Sequence, residues 1–167
     1  MTIKIKELWI YPIKSCKGIS LNYSQLDKTG LQYDRRFMLV DEDNNFLTQR
    51  DHHKLALVET SISEETLLIK APGLNMIQAP LVPVSETKIK VTVWSDTPKA
   101  IPVSDEANEW FSSYMGFKTQ LVYMPDTSNR WVDGRYANNK ATTSFTDGFP
   151  ILLITESSLQ DLNNRLE

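Results

Sequence analysis

Short stretches in which apolar and polar residues alternate dominate the first hundred residues of the chain. The clearest is KIKVTVW (88–94), where Ile89, Val91 and Val93 alternate with polar neighbours. IKIKELWI (3–10) shows the same period of two. Because successive side chains of a strand point to opposite faces, both segments are predicted to be β-strands.

Two hairpins are predicted where strand-like segments flank short polar turns. FMLVD (37–41) and NFLT (45–48) flank a turn rich in Asp and Asn. KLALVETSI (54–62) and TLLIK (66–70) flank Ser-Glu-Glu. KTQLVYM (118–124) is predicted as a further strand. Many short strands at close spacing indicate a mainly β fold with a few helices (α+β), organised as a barrel-like N-terminal domain or a sandwich.

One helix is predicted from Ser104 to Met115. Ser104 is a suitable N-cap, two acidic residues follow it in the first turn, and Gly116 suits a left-handed stop. Apolar residues recur at helical spacing and predict one buried stripe, formed by Ala107, Trp110, Phe111, Tyr114 and Met115.

A second helix is predicted to start near Ser157, which has capping-box spacing with Gln160. Its predicted buried stripe is Leu159, Leu162 and Leu166. The sequence reaches Glu167 before any C-cap, so we expect it to be a truncated part of a longer protein.

A long polar stretch, 125–149, lacks apolar periodicity and is too long for an ordinary connection. It is predicted to be a linker, a functional loop or both. The apolar run ILLI (151–154) then predicts a buried strand. We therefore expect a first domain at 1–124, a linker or functional loop at 125–149, and the start of an incomplete second domain at 150–167.

Composition narrows the classes of function. The chain has 167 residues, 41% of them hydrophobic and 23% charged, with a net charge of −3. This balance does not favour nucleic acid or an anionic membrane as a partner. The apolar runs are too short to span a membrane, the N-terminus lacks a signal-peptide pattern, and Cys16 is the single cysteine. We expect a cytoplasmic protein.

The densest group of candidate functional residues is YPIKSCKG (11–18). Pro12 cannot donate a ladder hydrogen bond, so a strand is expected to end or bend there. Lys14, Ser15 and Lys17 then lie at a strand-to-loop edge, where ammonium, hydroxyl and backbone N–H groups suit an anion. A surface turn with solvated lysines is the alternative interpretation.

A second group is GLQYDRRF (30–37). Arg35 and Arg36 are neighbours and point to opposite sides of an extended backbone, so one could face a ligand while the other pairs with a carboxylate. Arg50 is a third candidate of the same type. Structural ion pairs are the alternative for all three arginines.

Other reactive residues are less suggestive. Lysines beside Cys16 would favour its thiolate, but no histidine base lies nearby in sequence, and inert burial is common for cysteine. His52 and His53 are adjacent and lack a second Cys/His pair at ligand spacing, so a zinc site is not expected. Trp9, Trp94 and Trp110 are predicted core residues.

Six segments in order resemble the N-terminal domain of MOSC proteins, along essentially the whole chain. They are LWIYPIKSCKG, GLQYDRRFMLVD, FLTQR, KIKVTVWSD, EANEWFSSYMG and FTDGFPILLITESSLQDLNNRL. Proteins of this family that reduce amidoximes are the most similar in character.

The resemblance implies a pyranopterin molybdenum cofactor (molybdopterin), bound between this domain and a following MOSC domain. It implies reduction of an N-hydroxylated small-molecule substrate with electrons from a partner redox protein or domain. Lys14 and Ser15 match the family's cofactor-binding lysine–serine pair. Arg35 matches the arginine of its Asp-Arg motif, and Arg36 is a second possibility. Asp147, Gly148 and Phe149 match a loop that passes the cofactor, where Gly148 and Phe149 would offer backbone contacts only.

The family's metal-binding cysteine lies beyond the helix SLQDLNNRL, so the metal ligand is expected outside this chain, and Cys16 does not match it. The leading hypothesis is therefore the cofactor-binding part of a molybdenum-dependent oxidoreductase, inactive by itself. The alternative is a non-catalytic β module that binds an anionic small molecule or a protein partner. A thiol-dependent enzyme that uses Cys16 is a third hypothesis.

Overall fold

The described part of the chain has a mainly β fold with two α-helices, which confirms the predicted fold class. The structure, a computed structural model, describes residues 2–137 and 140–166. Its described strands are β1 (Leu8–Ile10), β2 (Ile19–Leu21), β3 (Leu26–Asp27), β4 (Gly30–Leu31), β5 (Phe37–Val40), β6 (Glu59–Ser63), β7 (Thr66–Lys70), β8 (Ile77–Pro80), β9 (Ile89–Lys90), β10 (Lys99–Pro102) and β11 (Gln120–Tyr123). The helices are α1 (Asp105–Met115) and α2 (Glu156–Asn164).

The described strands form four antiparallel sheets rather than one closed ring. The orders are β1-β2, β3-β4, β6-β7-β8 and β5-β11-β10-β9. In the largest sheet, Leu39 pairs with Leu121 and Met38 with Val122. Leu39 and Leu121 pack into one hydrophobic cluster, whereas Met38 and Val122 pack into another. Both faces of β5 are thus buried, which explains its uninterrupted apolar sequence.

Helix α1 agrees closely with its prediction. The Ser104 hydroxyl accepts a hydrogen bond from the Ala107 N–H, and Gly116 ends the helix with φ of 78°. The predicted stripe faces the larger hydrophobic cluster, with Phe111 fully buried and Tyr114 partly buried. Helix α1 therefore covers the face of the sheet to which Leu121 contributes.

Both predicted hairpins are present, although their arms are shorter than predicted. β6 and β7 pair from Glu59 to Lys70, but 53–57 is a 3₁₀ helix rather than the start of a strand. The arm after β5 pairs through one bridge, Val40 to Phe46. Of the predicted strand 118–124, residues 120–123 form β11.

Two strands are shorter than predicted, and two predicted core residues are exposed. In 3–10, regular pairing covers only β1, because its partner β2 is three residues long, and the side chains of Ile3 and Ile5 are exposed. In 88–94, only β9 is regular, although the predicted alternation of burial holds at Val91 and Val93. Trp9 and Trp94 are 44% and 40% exposed, so they are not core residues; Trp110 is buried.

The polar stretch 125–149 packs against the sheets over much of its length. The Phe145 ring is fully buried in the cluster that contains Met38, and its N–H donates to the Arg35 carbonyl over 3.0 Å. The division into domains at 124/125 and 149/150 stays a prediction.

The segment from 150 to 166 differs from its prediction in three ways. Residues 151–154 form no strand and are exposed, because no described strand pairs with them. The N-cap of α2 is Thr155 rather than Ser157, and the Thr155 hydroxyl accepts a hydrogen bond from the Ser158 N–H. The predicted stripe of α2 is exposed in this structure, at Leu159, Leu162 and Leu166.

Candidate functional site

The chain around Lys14 is fixed against the start of β5. The Phe37 N–H donates to the Pro12 carbonyl over 3.0 Å, and the Lys14 N–H donates to the Phe37 carbonyl over 2.8 Å. Ser15 then takes a left-handed conformation with φ of 69°. The strand thus ends where the sequence predicted, and the bend directs the Lys14 side chain into the protein, where the residue is 7% exposed.

The Lys14 ammonium lies in a nearly closed environment with one carboxylate. Its Nζ is 2.6 Å from Oδ1 of Asp147 and within 6 Å of the ring centroids of Phe46 (5.7 Å) and Trp94 (5.8 Å). Burial lowers the pKa of Lys14, the Asp147 carboxylate opposes this, and the charges of Arg130 and Arg35 lower the pKa further. Lys14 is thus a buried cation among other cations.

Asp147 connects Lys14 to two further residues. The Trp94 indole N–H donates to the same Oδ1 over 3.2 Å, and the Arg50 guanidinium lies 5.0 Å above the Trp94 ring. Burial raises the pKa of Asp147, but the hydrogen bonds from Lys14 and Trp94 and the charge of Arg50 outweigh it, so the pKa lies below its ordinary value. The Asp147 side chain is nevertheless 69% exposed. Asp147 is thus a solvent-facing anion beside a group of basic residues.

Arg35 lies near Lys14, and its side chain is held by Asp34 and Tyr11. Its guanidinium forms an ion pair with Asp34 and lies 4.9 Å from the Tyr11 ring centroid. Burial raises the pKa of Asp34, although the Arg35 charge and the hydrogen bond from the Tyr11 N–H oppose the shift. The backbone of Arg35 is left-handed, with φ of 48°, so the extended geometry assumed from sequence was wrong.

Arg36 contacts a different part of the protein from Arg35, as predicted, although the extended backbone from which this was predicted is absent at Arg35. Its buried guanidinium donates to the Met124 carbonyl and the Tyr123 hydroxyl and pairs with Asp126 at 2.7 Å. These contacts fasten the end of β11. The charges that shift the pKa of Lys14 are those of Asp147, Arg130 and Arg35. Arg36 is thus committed to protein groups, and its predicted contact with a cofactor stays a prediction.

Arg130 is a residue of the site that sequence reasoning missed. Its side chain is 4% exposed, and Nε is 2.7 Å from the Asp96 carboxylate. Nη1 donates to the carbonyls of Ser144 and Thr146, and Nη2 to that of Asp147. One guanidinium therefore holds the backbone of the segment that carries Asp147. The sequence placed Arg130 in a polar stretch and gave no signal for these backbone contacts.

The remaining predicted site residues border this arrangement. The Ser15 hydroxyl donates to the Leu47 carbonyl over 3.4 Å, and the Gln49 amide donates to the Ser15 carbonyl over 2.7 Å. Gly148 faces open space, and Phe149 is 44% exposed. Ser15, Gly148 and Phe149 thus flank Lys14 and Asp147 in sequence, and their predicted roles as cofactor contacts stay predictions.

Cys16 is buried, and the neighbouring residues His52 and His53 contact protein groups. Burial raises the pKa of the Cys16 thiol, so the thiolate that the flanking lysines were expected to favour is instead suppressed. His52 packs on Phe117, and His53 Nδ1 lies 2.7 Å from the Gln49 carbonyl. Within 2–137 and 140–166, no three His, Cys, Asp or Glu residues are grouped so that they could hold a metal ion. Because the Cys16 thiol is buried and its pKa is raised, it is a poor nucleophile, which disfavours the hypothesis of a thiol-dependent enzyme.

Lys14, Arg35, Arg50 and Arg130 form what we call the basic cluster. Three of these cations form ion pairs. Lys14 pairs with Asp147, Arg35 with Asp34, and Arg130 with Asp96. Ammonium, guanidinium and indole N–H donors around one exposed carboxylate suit oxyanions such as phosphate.

Neither described helix is long and apolar enough to cross a membrane.

Comparisons with known proteins show the family to which this chain belongs. The family model of the MOSC N-terminal beta barrel domain matches residues 2–118. Mitochondrial amidoxime reducing component 2 is 33% identical in Rattus norvegicus and 30% identical in Bos taurus, and both alignments cover 98% of this chain. Molybdenum cofactor sulfurase of Homo sapiens is 28% identical over 97% of this chain. A solution structure of a Bordetella bronchiseptica protein has the same fold, with a TM-score of 0.57, 19% identity, and coverage of 71% of this chain and 89% of that one.

The chain spans about half the length of the amidoxime-reducing relatives, at 52% and 51%, and 19% of the sulfurase. The resemblance inferred from six ordered segments is confirmed by the family match and by the extent of these alignments. The chain belongs to the MOSC N-terminal beta barrel domain family.

Proposed function

We propose that this chain is the cofactor-binding N-terminal portion of a molybdenum-cofactor oxidoreductase. The observation that carries the proposal is the burial of Lys14 beside Arg35 and Arg130, with the exposed Asp147 as its anionic partner. A buried cation surrounded by cations is costly, and a dianionic phosphate would relieve this cost more fully than one carboxylate. The pyranopterin cofactor carries such a phosphate.

The residues present fit the phosphate-bearing end of this cofactor. Lys14, Ser15 and Arg35 would bind the phosphate oxygens, while Asp147 and the backbone at 148–149 would border the ring system. When bound, the cofactor supplies the two-electron chemistry of its molybdenum. This chain binds and orients it, and the metal ligand is proposed to lie outside 1–167.

The names of the relatives support the finer part of the proposal. Relatives called amidoxime-reducing components align with nearly the whole chain. We therefore propose that the whole protein reduces N-hydroxylated small molecules and takes electrons from a redox protein or domain. Its cytoplasmic location and the start of a MOSC domain after residue 149 belong to the same proposal.

Metal analysis of the purified protein tests the proposal. The protein is the product of the longest open reading frame that contains this chain. The protein would be produced in a host that makes the molybdenum cofactor and assayed for reduction of benzamidoxime with a chemical electron donor. We expect stoichiometric molybdenum, and loss of both metal and activity in Lys14→Gln. The matched control is Arg135→Gln, because Arg135 is an exposed residue paired with Asp133. Purified protein without molybdenum would contradict the proposal.

A broader function is supported by the range of relatives. The same domain aligns with proteins of two different names, amidoxime-reducing component and molybdenum cofactor sulfurase. A module shared in this way would recognise the cofactor whatever reaction follows. Cofactor binding without reduction of benzamidoxime by the full-length protein would favour this second candidate.

A further inference from the structure

Arg50 is the member of the basic cluster without a carboxylate partner among the described residues. The described ion pairs use Asp147, Asp34 and Asp96 for the other three cations. Arg50 is exposed, and its described hydrogen bond is a backbone one, from its N–H to the Thr48 hydroxyl. With five donors and no side-chain hydrogen bond to any described residue, the Arg50 guanidinium is available to an oxyanion.

The Arg50 guanidinium is nevertheless held in place. It lies 5.0 Å from the centroid of the Trp94 ring, and Phe46 supports that ring with a centroid distance of 4.8 Å. The Trp94 indole N–H is fixed by Asp147. The charge of Arg50 also contributes to the lowered pKa of Asp147, so Arg50 and Lys14 act on the same carboxylate. An arginine kept in place before a ligand arrives loses less conformational entropy when it binds.

The backbone of Trp94 is in an unusual conformation for a large residue. Val93 and Asp96 exchange two backbone hydrogen bonds of 3.0 Å, so Trp94 is the first of two central residues in a tight turn. Its φ is 54°, a value for which such turns favour glycine or asparagine. A bulky aromatic residue held there at a steric cost indicates a role for the side chain.

We propose that Arg50 and Trp94 form a second oxyanion subsite beside Lys14, which takes a phosphate monoester. Trp94 supplies the surface that orients the guanidinium, and its indole N–H keeps Asp147 at the edge of the subsite. Arg50 binds the phosphate oxygens through its planar pair of N–H groups. The inference deepens the proposed function, since both rest on the basic cluster.

The test is a titration of the ¹⁵N-labelled chain with inorganic phosphate at pH 7.5, with ionic strength held constant by NaCl. The Arg50 Nε–H and Trp94 Nε1–H resonances are expected to shift along one saturable curve. Arg50→Gln should weaken binding about tenfold, and Arg50→Lys by a smaller factor, because lysine keeps the charge but not the fork. Trp94→Leu should weaken it roughly threefold through loss of the supporting surface.

Arg135→Gln is the matched control. Arg135 also lies over an aromatic ring, 5.7 Å from the Tyr136 centroid, but it is already paired with Asp133. Phosphate affinity should be unchanged in this variant. An effect as large as that of Arg50→Gln would reduce the result to general electrostatics and overturn the subsite.

Lys14→Gln separates the two proposals. If Lys14→Gln abolishes binding while Arg50→Gln has no effect and the Arg50 resonance does not move, the subsite is wrong and the proposed site stands. If Arg50→Gln weakens binding and Lys14→Gln does not, the subsite stands and the proposed function loses its anchor. No saturable binding by the native chain overturns both.

Discussion

Replacement of Arg130 by methionine should destabilise the protein by an amount that its contacts define. Arg130 makes one ion pair, with Asp96, and three hydrogen bonds to the carbonyls of Ser144, Thr146 and Asp147. Removal of one partner from a buried ion pair costs about 3–5 kcal/mol. Asp96 is 42% exposed and can be rehydrated, so we expect the lower end, about 3 kcal/mol.

Urea denaturation, monitored by circular dichroism, measures this loss as a change in the free energy of unfolding. In thermal unfolding of a chain of this size, about 3 kcal/mol corresponds to a decrease in Tm of roughly 6–12 °C. Arg130→Lys should lose somewhat less, since an ammonium keeps the charge but cannot reach four acceptors at once. Amide resonances of 144–147 should shift in both variants, because the guanidinium holds that backbone.

Arg135→Met provides the control for this experiment. Its ion pair with Asp133 is exposed, so the free energy of unfolding should change by less than about 0.5 kcal/mol. If Arg130→Met is as stable as Arg135→Met, Arg130 does not hold the Asp147 segment, and the reasoning is refuted.

Three further predictions concern other parts of the chain. Cys16 should react with a thiol reagent at pH 8 at least about 100-fold more slowly in the native protein than in urea, because it is buried; comparable rates would contradict its placement. Ser104→Ala should lower the free energy of unfolding by about 1 kcal/mol, through loss of the cap on the Ala107 N–H; an unchanged urea midpoint would exclude the cap. Because the folded pKa of Lys14 lies below 10.5, the unfolded chain binds more protons between the two values, and this group makes stability rise with pH across that window. Lys14→Met should remove that rise in urea midpoints measured from pH 7 to 10.5, and an identical pH profile in both proteins would refute it.

Features that depend on nearby residues were predictable from the sequence. Helix α1 needs only its cap at Ser104, its apolar spacing and the stop at Gly116, all within a dozen residues. The end of the strand before Pro12 is similarly local, since the proline ring removes a donor from the strand. Both agree with the structure because no distant contact competes with the local preference.

Features that depend on distant partners were not predictable. Apart from Phe145, residues 142–146 are polar in sequence, yet all five are buried. Three of their hydroxyls find partners that spacing cannot reveal: the Ser144 hydroxyl donates to the Asp34 carbonyl over 2.8 Å, and those of Thr143 and Thr146 lie 2.6 Å apart. A stretch without apolar periodicity was therefore interpreted as a linker or functional loop, although hydrogen bonds and the buried Phe145 ring pack it against the sheets.

Half of the described non-glycine residues with positive φ lie in or beside the basic cluster. Of the six, Tyr33, Asn44 and Glu64 lie outside it. In the other three cases, Ser15 follows Lys14, Arg35 belongs to the cluster, and Trp94 supports Arg50. None of these residue types is favoured in the left-handed region, unlike Asn44, which occupies a polar turn. A fold selected for stability alone would be expected to carry glycine or asparagine at such positions. Three disfavoured conformations around one buried cation instead indicate that the segments are constrained by what their side chains must bind.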